Sequence, residues 1–469
     1  MRNPHPRYMC FPSVVCVGKE TEITIVARDT SRYFHPDKEY ELCILGLRDD
    51  QLDYHAPVSF DALYSIVDGS LRFSHLFDRE QEYHILFREK GGKETKISLY
   101  AVKQDLYELR PLKGDLHTHT YYSDGQDGIS MTPADYREEG FDFVAITDHN
   151  RMYTSKLAAD LYRDIPLGMH IMVGEELHTP GSLLHIVHVG GKESVCNKYI
   201  HNREQFETQV DEIETSLTHI PEQYRRRIAM AKWACEEIHN ENGLAIFAHP
   251  FWCPKRYNIS EDFANLLFDE KIFDAFELTG GVDTSGNNAQ LALWQEQAFK
   301  GNILPVVGSS DSHNHDFSRD SLGRRFTIVF AKGNTTKDIM NAIKNGYSVA
   351  AELPYGADED VRFYGSKLRL ILFAHFLFKN YFNETWRLCI GEGILMRRYA
   401  EGEPVNDTLA SLADTVENFY KKFYGLLPAP SLPDAQKSHL EKCLEMQRSV
   451  GPLTKGSAIH LYGGNERRE

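Results

Sequence analysis

The chain has 469 residues, enough for several domains at ~100–200 residues each, so core size is no constraint. Hydrophobic residues make up 42% and charged residues 26%, which excludes a largely disordered or fibrous chain. Lys and Arg total 52 against 68 Asp and Glu, and the formal charge of -16 disfavours a generic binder of duplex nucleic acid, which carries a basic surface. Bound metal ions would relax that exclusion, because they supply local positive charge that a side-chain count omits.

Residues 1–110 are expected to form an all-β, sandwich-like domain. Short apolar or alternating runs recur as TEITIVAR (21–28), YELCILGL (40–47), SLRFSHLF (70–77), EYHILFRE (82–89) and TKISLYAV (95–102), with turn-forming pieces between them. The opening MRNPHPRYMCFPSVV has no basic segment followed by a sustained apolar stretch, so no secretory signal is expected. Eight cysteines are too sparse for a disulfide scaffold and none forms a C-x-x-C pair, which argues against a cysteine zinc module.

From Leu112 the pattern changes. Candidate strands KGDLH, DFVAITD, HIMVGEE, LLHIVHV, GLAIFAH, DAFELTG, ILPVVGSSD and RFTIVFA alternate with helical stretches. The clearest helix runs from Pro221 to Asn242, with proline in its first turn and Gly243 just beyond its end. This alternation predicts a parallel β/α barrel over residues 111–355. Residues 356–469 are expected to be helical, with segments at 366–400, 407–425 and 432–449. The run Leu368–Phe378 is the most apolar but is interrupted by Arg369 and His375, and it is shorter than the ~20 residues a membrane span needs. The expectation is a soluble, cytoplasmic protein with no membrane partner; oligomeric state is open.

The histidines carry the functional argument. A pair such as His117-Thr118-His119 is weak alone, since 21 histidines would generate an H-x-H by chance about once. Position strengthens it. His117 and His119 follow KGDL, Asp148-His149 end FVAIT, and Glu175-Glu176 follow HIMVG. His185 lies within LLHIVHV, His249 ends GLAIFA, and Asp311-Ser312-His313 follow ILPVVGSS. In a parallel barrel the strand ends converge on one face, so six strands would bring metal-ligating side chains together.

In this order and spacing, DLHTHTYYSDG, ITDHN, VGEELHT, LLHIVHVG, AHP and GSSDSH resemble the PHP (polymerase and histidinol phosphatase) superfamily over roughly residues 112–350. The resemblance implies a distorted seven-stranded (β/α) barrel, two or three divalent metal ions, and hydrolysis of phosphate esters. It implies His117, His119, Asp124, His149, Glu176, His185, His249, Asp311 and His313 as metal ligands. One metal would take His117, His119, Glu176 and Asp311. A second would share Glu176 with His185 and His249, and a third would take Asp124, His149 and His313. Glu175 and Glu176 face opposite ways on a strand, and the family spacing selects Glu176 over its neighbour. His178 and His188 lie close in sequence, but the family position falls on His185.

The chemistry of the residues agrees. Imidazole and carboxylate ligands without thiolate suit Mn, Zn or Fe(II) and make a purely structural zinc site improbable. Metals close together can activate water to hydroxide and clamp phosphoryl oxygens, so no protein nucleophile is required. Glu176, Asp311 and His149 are the residues expected nearest the catalytic step. Substrate-side candidates are Arg324 and Arg325, where a guanidinium could grip phosphate, and Asn150 beside His149. Trp252 could stack a nucleobase, although a core or rim role is the commoner fate of a tryptophan. Asp148 is expected to point away from the metals, Cys253 to be a loop or buried thiol, and His315 to lie at the surface.

The leading function is hydrolysis of a small phosphorylated metabolite, nucleotide or short oligonucleotide in a trinuclear site. A DNA- or RNA-processing nuclease is the alternative within hydrolases. A non-catalytic, metal-stabilised module with a binding role is the alternative outside them; loss of ligands would mark it, and none is lost here.

Overall fold

The computed structural model describes residues 6–29, 32–48, 58–178, 184–253, 255–281, 284–313, 322–354, 360–431 and 434–450. The chain folds as two compact units, one comprising Lys103–Tyr420 and the other Pro4–Val102 with the segment from Lys421 onward.

The second unit holds two four-stranded sheets. Strands β1 (Tyr8–Phe11), β2 (Val14–Cys16), β3 (Glu20–Ala27), β4 (Tyr40–Gly46), β5 (Ser65–Val67), β6 (Ser70–Leu76), β7 (Gln81–Glu89) and β8 (Thr95–Val102) pair in the orders β1-β3-β6-β5 and β2-β8-β7-β4. Alternation drives the packing: Ile23 and Ile25, Leu71 and Phe73, and Tyr83, Ile85 and Phe87 all enter one buried core. The β5–β6 hairpin turns on Asp68-Gly69, both at positive φ (48° and 72°), the geometry of a two-residue turn matched to strand twist.

In the first unit, β9 (Arg110–Asp115), β10 (Phe143–Ile146), β11 (His170–His178), β12 (His185–Gly190), β13 (Gly243–Phe247), β14 (Ala275–Thr279), β15 (Val306–Gly308), β16 (Arg325–Ala331), β17 (Ser348–Glu352) and β18 (Arg362–Tyr364) form one sheet. Its order is β15-β14-β13-β12-β11-β10-β9-β16-β17-β18. Ten strands therefore replace the seven expected. The sheet curls into a nearly closed barrel. At the seam between its first strand and β16–β17, side chains take over from a backbone ladder: Ser348 Oγ donates to Val306 O (2.8 Å) and Thr327 Oγ1 to Gly308 O (2.8 Å). Gly308 is obligatory in that seam, since a Cβ there would lie 2.6 Å from Phe326 O.

The sheet is not uniformly parallel, as the sequence pattern suggested. β12 is antiparallel to both β11 and β13, and β16 is antiparallel to β9 and β17. Chain length explains the first reversal. Only residues 179–184 join β11 to β12, too few for the crossover of ~12 or more residues that a parallel pair needs. The strands are buried on both faces, which is why they read as apolar runs. In β13, Leu244 and Ile246 face one core with Val187, Val329 and Val307, while Phe247 packs in the other against Phe263, Phe268 and Phe276.

The expected long helix spans Glu222–Asn240 and begins just after Pro221. Its stop differs in detail: Asn242 (φ 63°) takes the left-handed position, and Gly243 already opens β13. Helix Leu368–Leu377 continues through a π-helical turn, Phe378–Phe382, into Asn383–Ala400. Helices Asn406–Phe423 and Asp434–Val450 follow.

Arg137, fully buried in helix Thr132–Glu138, fastens Asn383–Ala400 to the barrel. Its Nε donates to Glu392 Oε2 (2.7 Å) and its Nη1 to Phe141 O (2.8 Å), while Gly168 N donates to Glu392 Oε1 (2.6 Å). Removing Glu392 takes from the buried guanidinium its directly bonded carboxylate and leaves only Asp142, at 3.6 Å, so Glu392→Ala should destabilise the fold by about 3–5 kcal/mol. Denaturant unfolding monitored by tryptophan fluorescence checks this; a change under about 1 kcal/mol would show that the pair carries no such load.

Candidate metal centre

All nine expected ligands lie at one rim of the barrel, though not all reach it in the expected way. His117 and His119 follow β9, Asp124 lies in the loop beyond them, and His149 follows β10. Glu176 lies near the end of β11, His249 follows β13, and Asp311 and His313 follow β15. His185 is the exception. It is the first residue of β12, directly opposite His178 on β11, and reaches the rim because β12 runs the other way. Backbone bonds beyond the strands hold the rim in register: Asp311 N donates to His117 O (2.9 Å), His119 N to Ser312 O (2.8 Å) and Glu176 N to Thr147 O (3.0 Å). Asp311 and Asn150 occupy the left-handed region (φ 50° and 56°).

Glu176 is the centre of the arrangement. Its carboxylate is fully buried, and imidazole nitrogens surround it: His149 Nδ1 at 2.7 Å, His185 Nδ1 at 2.8 Å, His249 Nε2 at 3.2 Å, His117 Nε2 at 3.3 Å and His119 Nε2 at 3.4 Å. Despite these approaches neither oxygen has a hydrogen bond of proper geometry, and Nδ1 of His149, His185 and His249 are orphaned with it. Buried polar atoms normally find partners. Atoms that converge without bonding one another are placed to share a cation.

The spacing fits. His117 Nε2 and His119 Nε2 stand 3.1 Å apart, and each lies 3.1–3.4 Å from Glu176 Oε2 and from Asp311 Oδ1. Tetrahedral donors about a cation at ~2.1 Å stand roughly 3.4 Å apart. A further group consists of Glu176, His185 and His249. Another comprises Asp124, His149, His313 and His119, with His149 Nε2 and His313 Nε2 at 3.2 and 3.3 Å from the two Asp124 oxygens. Clusters of imidazole and carboxylate without thiol imply divalent metals. The seven cysteines whose side chains are described are free, and none belongs to a cluster.

Supporting groups explain how the loops hold their ligands. Asp148 points away from the cluster and accepts from Thr120 N (2.7 Å), Thr120 Oγ1 (2.7 Å) and Ser123 Oγ (2.6 Å), clamping the loop that carries His119 and Asp124. Asp115 accepts from His117 N, Ser310 N and Tyr136 Oη, and burial pushes its pKa up to about 7. Glu175 faces the opposite side from Glu176, as strand parity requires, and accepts from Ser194 Oγ (2.7 Å) and Val195 N (2.7 Å). His188 lies beside Glu175, away from the ligands.

The substrate-side candidates have mixed placements. Asn150 Oδ1 accepts from His178 N (2.9 Å), tying the His149 loop to β11. Arg325 is buried and donates to Glu352 Oε1 (3.0 Å) across β16–β17; Arg324 is half-buried, 3.5 Å from Pro354 O. Trp252 is 41% exposed, its ring 6.2 Å from that of His249 and 6.4 Å from that of His185. Cys253 is exposed, and His315 lies outside the described residues.

One donor was set aside in the sequence reading in favour of His185, and one escaped it. His178 stacks on His185 with ring centroids 3.9 Å apart and forms a group with His149 and Glu176. Glu277 on β14 is fully buried with an oxygen 2.8 Å from His117 Nδ1. The available signal was position: Glu277 interrupts the apolar strand AFELT at the rim where neighbouring strands place ligands.

No family model matches the chain. A stretch of 84 residues is 32% identical to the DNA polymerase/3'-5' exonuclease PolX of Bacillus subtilis, covering 16% of this chain and 14% of that protein. A two-domain protein containing a predicted PHP-like metal-dependent phosphoesterase, from Bacteroides vulgatus, is similar at 19% identity and a TM-score of 0.37, over 52% of this chain and 65% of its own. The resemblance to the PHP superfamily stands. An amidohydrolase from Chromobacterium violaceum is also similar, at 17% identity and a TM-score of 0.30, over 44% of this chain and 89% of its own. Among the described residues, no helix is long and apolar enough to cross a membrane.

Without metal, protons must balance the site. Burial opposes charge on His149 and His313, but Asp124 with Glu176, and Asp124 with Asp311, raise their pKa values to about 10 and about 9. The same imidazoles hold the Asp124 carboxyl far below the usual range. A histidine raised above its unfolded value of ~6.5 stabilises the fold fully below that pH and ceases to do so as pH passes the folded value. The metal-free protein should therefore lose thermal stability between about pH 7 and 10, and His149→Ala should lose less. The metal-loaded protein should lack this decline, because metal replaces the protons. Melting curves with and without chelator test it; a metal-free melting temperature that stays flat or rises over this range would contradict it.

Proposed function

We propose that this chain is a metal-dependent phosphoesterase acting on a small phosphorylated substrate through a site for three divalent ions (Mn, Zn or Fe). The observation that carries the reading is Glu176: a fully buried carboxylate with neither oxygen hydrogen-bonded and six imidazoles within 4 Å. When bound, divalent ions supply positive charge for a phosphate dianion and the Lewis acidity that makes water nucleophilic at neutral pH.

The chain's own residues do the rest. Glu176 lies between the His117, His119, Asp311 group and the His185, His249 group, and serves both. Asp311 faces His117 and His119 through Oδ1 and His249 through Oδ2. Asp124, His149 and His313 form the third, more exposed group, suited to orienting the phosphate. Among the described residues no catalytic cysteine or serine context competes with a water nucleophile.

A second observation favours a nucleotide or short oligonucleotide over other phosphate esters. Among the described residues the exposed large aromatics are Tyr121, Tyr153, Trp252, Tyr257 and Phe299, and the first four flank the candidate ligand loops after β9, β10 and β13. The Tyr121 and Tyr122 rings lie tilted at 30° with centroids 4.3 Å apart, and Tyr122 meets Tyr153 edge-on at 6.2 Å. Such rings suit nucleobases.

Hydrolysis of phosphomonoesters, diesters and nucleotides should require Mn, Zn or Fe, and full activity of a rigorously metal-free preparation would refute the reading. Asp124→Ala and His313→Ala should each lose about one metal with the fold preserved; a full complement in both would refute the third site. Glu176→Gln should lower kcat by at least about 10²-fold. Trp252→Ala should raise KM for a nucleotide roughly 5- to 150-fold, the value of one stacked base, while leaving KM for a small phosphomonoester unchanged.

A further inference from the structure

Among the strands β9–β15, β14 alone provides none of the nine ligands, although it lies between β13, which leads to His249, and β15, which leads to Asp311. At its rim sits Glu277. We infer that Glu277 is the positioning residue for His117: its carboxylate fixes the tautomer and ring orientation that present His117 Nε2 to the metals. The inference rests on the metal-binding part of the proposed function and not on the substrate.

Three observations carry it. First, the geometry divides the imidazole into two faces. His117 Nε2 points into the ligand cluster, 3.1 Å from His119 Nε2 and 3.3 Å from both Glu176 Oε2 and Asp311 Oδ1, while Nδ1 on the opposite side lies 2.8 Å from Glu277 Oε2. A carboxylate can only accept, so the proton sits on Nδ1 and the Nε2 lone pair is free for a metal.

Second, the chain makes room for this carboxylate beside His117, with His249 the next nearest donor. A Cβ at Gly280 would fall 2.1 Å from Glu277 Oε1, so only glycine lets the group fit. Glu277 is fully buried, its Oε1 has no hydrogen bond, and His117 is its one ion-pair partner among the described residues. Gln290 Nε2 donates to both Glu277 O and Leu278 O and pins the strand beneath it.

Third, the same device recurs in the site. His313 Nδ1 donates to Asp311 O (2.8 Å), which leaves its Nε2 facing Asp124. Partners of this kind behind a metal-bound histidine set its direction and raise its basicity, and losing one typically costs 10–100-fold in metal affinity.

The test measures metal binding by the full chain, not turnover. Zn²⁺ affinity and stoichiometry are determined by chelator competition and elemental analysis for the wild type, Glu277→Ala and Glu277→Gln. Glu277→Ala should bind at least one Zn²⁺ about 10–100-fold more weakly. Glu277→Gln, whose amide oxygen still accepts from Nδ1–H, should recover most of that loss. Wild-type affinity in Glu277→Ala would overturn the inference. So would a Gln variant as weak as the Ala variant, which would make Glu277 a ligand in its own right. Should Glu277→Ala not fold, ¹⁵N histidine spectra of the Zn²⁺-loaded wild type decide the matter: a proton on His117 Nδ1 is expected, and a proton on Nε2 would overturn it. A wild type that binds no metal would defeat the proposed function too, whereas metal binding without phosphate-ester hydrolysis would defeat only that function and leave this inference standing.

Discussion

A fully buried carboxylate with six imidazoles within 4 Å of it is the constraint on which the rest of this structure turns. Burying an ionised Glu176 without a partner would cost several kcal/mol. Imidazoles alone do not resolve the problem, because their nitrogens approach Glu176 at 2.7–3.7 Å without the geometry of hydrogen bonds. Divalent cations resolve it by accepting lone pairs from carboxylate and imidazole together. The closeness of so many donors, unfavourable in the bare protein, then becomes affinity.

The barrel's task is to hold those donors against their tendency to separate. It does so with backbone bonds continued past the ends of the strands, with Asp148 and Asp115 bracing the loops from behind, and with left-handed φ values at Asn150 and Asp311. Left-handed backbone and buried charge of this kind persist only where surrounding structure over-determines them. Strands β10, β13, β14, β15, β16 and β17 are buried along their whole length, and the Arg137–Glu392 link fixes an outer helix to the barrel. Rigidity precedes chemistry here.

What could be read from the sequence depended on the length of the signal. Strands such as Gln81–Glu89 declare themselves by alternation, whereas Tyr8–Phe11, Val14–Cys16 and Ser65–Val67 are too short to show a period. Apolar runs in the barrel revealed strands without their direction, since a strand buried on both faces looks the same either way; the reversal of β12 was written instead in the short loop before it. The nine candidate positions were legible because their motifs recur in order at strand ends. Glu277 was not, because one glutamate among 68 acidic residues belongs to no motif, and its meaning comes from a partner 160 residues away. Glu175 and Asp148 were legible by parity: each neighbours a ligand in sequence and therefore points away from it.

The most direct test of the account is an anomalous difference map from crystals of the full chain soaked in Mn²⁺. The account predicts density on both sides of Glu176, one peak shared with His117, His119 and Asp311 and one with His185 and His249. An ordered site with no anomalous peak in contact with Glu176 would contradict it.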